Sequence, residues 1–169
     1  RTPEAQQTER LARGQTRWPR IAVVTTSLDL DVTSPLFADT PVTPIVITTT
    51  DADPSRRAAV SERAEVITAG TGRVDLPEAM RTLEAHADIV LCEGGPSLNG
   101  QLAADGLVDE LCLTMAPTLA NGDSARIMHH PDPSVPPLRL AHLWEEGGSL
   151  FLRYVRAEVH PGETGSTSR

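Results

Sequence analysis

No apolar run in this sequence approaches the ~18 residues needed to cross a bilayer, and no signal-peptide pattern opens it. Those two absences lead us to expect a soluble, cytoplasmic protein. Cysteine is nearly missing as well. Cys92 and Cys112 each sit inside an apolar run, where a thiol usually serves as a small buried hydrophobe. Without histidines at ligand spacing they make no zinc site, so no metal is expected. Aromatic residues are scarce, at 3% of the chain. Positive charge is in deficit, and a formal net charge of −8 argues against a nucleic-acid surface, which needs a basic field. The Arg-rich opening (Arg1, Arg10, Arg13, Arg17, Arg20) is a local exception that reads either as a phosphate grip or as a solvated linker. An acidic chain can still hold an anion, because backbone N–H groups bind phosphate without basic side chains.

What is present is a strand and helix pattern long enough for one domain, in 169 residues. "RIAVVTTS" (Arg20–Ser27) and "TPIVITTT" (Thr43–Thr50) are short β-branched runs that read as buried strands. Asp53 then caps, and Pro54 starts, a helix to about Ala64. "EVITAG" is a third strand, and "PEAMRTLEAHA" a helix with Ala79, Met80, Leu83 and Ala87 on one face. "DIVLCEGG" reads as a fully apolar strand and "SLNGQLAADG" as a helix closed by Gly106. "VDELCLTMAP" is a further strand, about twenty loop residues follow, and two alternating runs about Gly147-Gly148 form a hairpin. The order predicts an α/β fold: a mixed, mostly parallel sheet flanked by helices, with a C-terminal antiparallel hairpin at one edge. Residues 1–17 read as a linker or a remnant, 18–158 as the domain, and 159–169 as a disordered tail.

The chemistry concentrates at Glu93-Gly94-Gly95-Pro96. In open α/β sheets ligands collect at the carboxyl ends of strands. Glycine admits positive φ and close approach of a ligand. Pro96 starts a helix whose first N–H groups and dipole favour an anion. The two glycines and Ser97 therefore suit a pyrophosphate, although neither standard phosphate motif is present. A tight turn that needs glycine for packing alone explains the same residues. Glu93 either meets a substrate hydroxyl or amine or caps a backbone N–H. His129, His130 and Asp132 read as a solvated loop, Gly70-Thr71-Gly72 as a turn, and Trp144 as packing.

"EGGPSLNGQLAADGLVDEL…APTL" resembles the signature of the reductase domain of bacterial riboflavin-biosynthesis deaminase–reductases, within the dihydrofolate-reductase-like superfamily. The motif match spans about thirty residues, with agreement in element order over Trp18–Glu158. The resemblance implies NADPH-dependent reduction of a ribosylaminopyrimidine, ribosyl to ribityl, by a 5-amino-6-(5-phosphoribosylamino)uracil reductase-like enzyme. It also implies that Glu93 contacts substrate, and that Gly94, Gly95, Pro96, Ser97, Leu98, Asn99, Gly100 and Gln101 form the NADP pyrophosphate turn. In the superfamily the Gly-Gly bond can be cis. Thr25, Thr26 and Ser27 match the place where the family meets the adenosine ribose and its 2′-phosphate, but no arginine follows them directly. Asp109-Glu110 matches as a structural pair. No catalytic proton donor is identified. Members of the superfamily pair sheets or edges as dimers, and the resemblance extends that expectation to the closing hairpin.

The family's Ser-Leu-Asp-Gly strand, its Gly-x-x-Thr loop and its basic segment have no counterpart here. The expectation is therefore a chain that holds the adenosine and pyrophosphate half of the cofactor site, with weak or no turnover in isolation. Two other readings stay open: a reductase of a pterin or dihydrofolate, and a nucleotide-binding module without chemistry.

Overall fold

The computed structural model describes residues 3–124, 126–132 and 135–157. The tail expected at 159–169 lies outside them. The chain divides into two compact units, Arg1–Val90 and Leu91–Arg169.

The first unit contains α1 (Glu4–Ala12), β1 (Ala22–Val24), α2 (Pro35–Ala38), β2 (Ile45–Thr48), α3 (Pro54–Ser61), β3 (Glu65–Thr68) and α4 (Leu76–Leu83). Its strands form a parallel sheet in the order β1-β2-β3, with Val23 opposite Val46 and Val46 opposite Val66. β2 is central and buried at every residue, which is why "IVIT" shows no polar alternation. Leu28, Phe37, Val46, Ala52, Val60 and Ala64 pack as the core. The fully buried Thr48 hydroxyl makes no hydrogen bond to the described residues, so the sheet uses this residue for its β-branched shape. Asp53 and Asp75 cap α3 and α4 through the Arg56 and Glu78 N–H groups. At the opposite end of the strands, Arg20 reaches the Thr43 carbonyl and Glu65, with His86 beside both.

The second unit contains α5 (Pro96–Ala104), β4 (Glu110–Met115), β5 (Leu138–Glu146) and β6 (Ser149–Arg156). Its sheet is antiparallel with β6 in the middle, in the order β4-β6-β5. Gly147 and Gly148 both take positive φ, as a two-residue hairpin turn of matching twist requires. α5 ends as expected at Gly106, φ +67°, where the Gly106 and Leu107 N–H groups bond the Ala103 and Leu102 carbonyls. Asp109 and Glu110 pair with Arg156 and Arg153 of β6, in the structural role read for them.

The fold class is the expected one, and its parallel and antiparallel strands form separate three-stranded sheets among the described residues. Four local expectations differ. "DIVLCEGG" forms no strand: residues 88–93 pair with no ladder, and Ile89 and Leu91 are each 80% exposed. An apolar run states a preference for burial, but a strand exists only where a neighbour accepts its N–H and C=O groups. Cys92 lies in that run and is exposed, as is Cys112, so neither is a core thiol. Trp144 is 67% exposed, on the hairpin face that it shares with its cross-strand neighbour Phe151. Finally, the segment read as a linker or a remnant, for which no helix was expected, contains α1, with Arg13 paired to Glu9 one turn apart. No helix among the described residues is long and apolar enough to cross a membrane.

Candidate functional site

In the first unit, a cleft of about 370 Å³ opens at the carboxyl ends of the parallel strands. Thr26 and Ser27 follow β1, Thr49, Asp51, Ala52 and Asp53 follow β2, Arg56 rises from α3, and Gly72 comes from the turn after β3. Two of the three hydroxyl residues expected at this edge are thus on the lining. Thr25 stands behind them, with its Oγ1 accepting the Leu28 N–H at 3.2 Å. Leu28 makes this loop rigid. Its φ of +52° is a conformation that non-glycine residues rarely adopt, and its side chain is buried in the core. The plug over-determines a backbone that would otherwise relax, and so fixes Ser27 at the cleft mouth.

The cleft is polar and carries charges of both signs. The Gly72 N–H at 2.9 Å, then the Thr49 hydroxyl, hold the Asp51 carboxyl below the usual aspartate range. The Ser55 hydroxyl, then the Arg56 N–H, do the same for Asp53. Both carboxylates are charged at neutral pH and turned toward the loops that they brace. Arg56 donates from Nη1 to the Ser27 carbonyl at 3.0 Å, which ties α3 to the loop after β1. The sequence reading missed Asp51, Arg56 and Gly72 as cleft residues and took Asp53 as a cap only. A signal was available, since the rule that ligands collect at strand ends applies to β2 as well as to β1.

In the second unit, Gly94 has φ +98° and the Gly94-Gly95 bond is cis, as the resemblance implied. Gly95 is the N-cap of α5 and has no side chain with which to cap. A Cβ at Gly95 would meet no atom within 4 Å, so neither packing nor φ demands glycine there. The first turn of a helix has no internal partner for its N–H groups. Since Pro96 has none, Ser97 and Leu98 present theirs beyond the open face of Gly95. Glu93 and Ser97 are exposed beside it.

The rest of the expected turn has other duties. Asn99 donates from Nδ2 to the Ile127 carbonyl at 2.9 Å and accepts from the Cys92 thiol. Gly100 is buried against the main chain of His129, where a Cβ would come within 2.2 Å of the carbonyl oxygen. The His129 N–H bonds the Pro96 carbonyl at 2.9 Å. Glycine at 100 therefore serves the docking of the 127–129 loop. No cluster among the described residues is able to hold a metal ion.

A model of the RibD C-terminal domain matches residues 1–152. The chain belongs to the RibD C-terminal domain family. It is 40% identical over 78 residues to the 2,5-diamino-6-ribosylamino-4(3H)-pyrimidinone 5′-phosphate reductase of Methanothermobacter thermautotrophicus. That match takes in 46% of this chain and 36% of the archaeal protein, little more than a third of the relative's length. Among solved structures, a pyrimidine reductase-like protein from Corynebacterium diphtheriae superposes with a TM-score of 0.79 at 28% identity, covering 93% of this chain and 68% of that one. The riboflavin biosynthesis reductase Rib7 of Saccharomyces cerevisiae superposes with a TM-score of 0.63 at 17% identity, covering 92% of this chain and 81% of that one, and shares the fold. Membership of the RibD C-terminal family thus rests on nearly the whole chain rather than on one motif.

Proposed function

We propose that this chain carries out, or forms part of, the NADPH-dependent reduction of a ribosylaminopyrimidine phosphate, ribosyl to ribityl, in the cytoplasm. The observation that carries the reading is the start of α5. The N-cap is a glycine with free space at its Cβ position and no side-chain cap, and the first-turn N–H groups of Ser97 and Leu98 have no partner within the helix. That is a seat for a diphosphate, held by main-chain donors and the positive end of the helix.

A nicotinamide dinucleotide is the ligand that the resemblance assigns to these residues. Gly94, Gly95, Pro96 and Ser97 line the diphosphate seat, with Leu98 lending its N–H, and Asn99, Gly100 and Gln101 continue the helix that holds it. Thr26 and Ser27, backed by Thr25, take the adenosine ribose and its 2′-phosphate. When bound, the nicotinamide cofactor supplies the hydride. The protein's share is binding and orientation, which hold two reacting carbons in one geometry. Glu93, exposed directly before the glycines, contacts the substrate by hydrogen bonding to a hydroxyl or amine.

The test is an absorbance assay of NADPH oxidation with 2,5-diamino-6-ribosylamino-4(3H)-pyrimidinone 5′-phosphate. Substrate-dependent oxidation, with the ribityl product identified by mass, supports the proposal. NADPH binding without oxidation of this substrate, alongside turnover of a dihydropterin, refutes it.

A further inference from the structure

The cleft after β1 and β2 poses an electrostatic problem for the ligand proposed above. A ribose 2′-phosphate is a dianion, and the cleft holds two ionised carboxylates, Asp51 and Asp53, kept charged by the hydrogen bonds that brace them. No cationic side chain follows β1 directly, since Leu28 and Asp29 come after Ser27. The N-terminus of α3 offers little to an anion either, because Asp53 already takes the Arg56 N–H. Among the described residues one cation lines the cleft, and it is Arg56.

We infer that Arg56 is the specificity-determining residue by which this cleft accepts a 2′-phosphorylated rather than a 2′-hydroxyl ribose. The inference rests on the proposed reading of the cleft as the adenosine end of a dinucleotide site. Arg56 sits in the first turn of α3, where the Asp53 cap fixes the backbone that carries it. Its guanidinium is anchored at one corner, Nη1 to the Ser27 carbonyl at 3.0 Å, with Asp29 Oδ1 4.0 Å from the same nitrogen. A guanidinium carries five N–H donors in a rigid fork, so one anchored corner leaves Nη2 and Nε to grip a phosphate. The anchor also places the group beside Ser27, whose Oγ accepts the Asp29 N–H and shares a 3.5 Å hydrogen bond with the Thr25 hydroxyl. Arg56 thereby takes over the work of the arginine that the loop after β1 lacks.

The carboxylates make the dependence on Arg56 steep. Removing the guanidinium leaves the phosphate in a cleft lined by the charged Asp51 and Asp53. A ribose hydroxyl can instead donate to either carboxylate, which is how acidic residues select the unphosphorylated cofactor elsewhere. Loss of Arg56 should therefore reverse the preference between NADPH and NADH rather than merely weaken it.

The experiment is a calorimetric titration of NADPH and of NADH against the unmodified chain, Arg56→Gln and Arg56→Lys, with thermal midpoints recorded for each. The expected result is tighter NADPH binding by the unmodified chain. Arg56→Gln should lose about thirtyfold in NADPH affinity, in line with charge-assisted hydrogen bonds, while NADH shifts by less than about threefold. Arg56→Lys, which keeps the charge and loses the fork, should fall between, with midpoints unchanged. Equal weakening of both nucleotides in Arg56→Gln would mean that Arg56 only braces Ser27, and would overturn the inference while leaving the nucleotide reading intact. If the unmodified chain binds neither nucleotide, that reading falls and takes the inference with it.

Discussion

The starts of three helices make an instructive comparison. α3 and α4 open on aspartates whose carboxylates accept the N–H three residues on, Arg56 at 2.8 Å and Glu78 at 2.9 Å. α5 opens on Gly95, with no side-chain cap at all. All three carry proline in the first turn, so the helix signal is the same and the difference lies in the cap. An aspartate there completes a helix and also repels anions. A glycine leaves donors unpaired and admits an anion from outside. The chain finishes the helices that build its first unit and leaves open the one that we assign to a diphosphate.

Converting the open start to the closed kind is the harshest test of this contrast. Gly95→Asp should weaken NADPH binding on the order of a hundredfold or more, since like-charge juxtaposition costs several kcal/mol. Gly95→Asn, of the same size without the charge, should lose far less, and a fluorescence titration would separate charge from bulk. Gly100→Ala sharpens the comparison within α5 itself. Its Cβ would fall 2.2 Å from the His129 carbonyl oxygen, so overpacking should cost about 1–3 kcal/mol in urea unfolding. Gly95→Ala, which meets open space, should cost much less. At a closed start, Asp75→Ala should lower stability by about 1 kcal/mol without changing nucleotide affinity.

A smaller effect follows from pH. Asp53 binds its proton less readily when folded, because the Ser55 hydroxyl and then the Arg56 N–H bond its charged form. The folded state therefore holds fewer protons than the unfolded one. Its contribution is complete above the unfolded aspartate pKa and is lost as pH falls through the lower folded value. Asp53→Asn should accordingly flatten the acid limb of thermal stability below about pH 4 and change little near neutrality. An unchanged acid limb would remove Asp53 from the account.

Which features the sequence made legible follows the same physics. β2, the Asp53 cap, the Gly106 stop and the Gly147-Gly148 turn each rest on a few adjacent residues, and each formed where the pattern placed it. Ile89–Leu91 carries an equally strong local pattern and forms no strand, because a ladder needs a partner that periodicity does not report. The cleft was half legible. Thr26 and Ser27 follow their strand directly, whereas Arg56 and Gly72 join them only once α3 and the turn after β3 fold back over the sheet. Gly100 has a packing duty that the sequence did not show, for the opposite reason. It stands in a glycine-rich run that resembles a binding turn, yet its neighbour is a backbone carbonyl 29 residues later in the chain.

The most direct measurement is a chemical-shift titration of backbone amides with NADPH. Our account predicts that the Ser97 and Leu98 N–H resonances move among the furthest, and saturate at the same nucleotide concentration as the Ser27 amide. Nucleotide binding that shifts Ser27 while Ser97 and Leu98 stay fixed would contradict it.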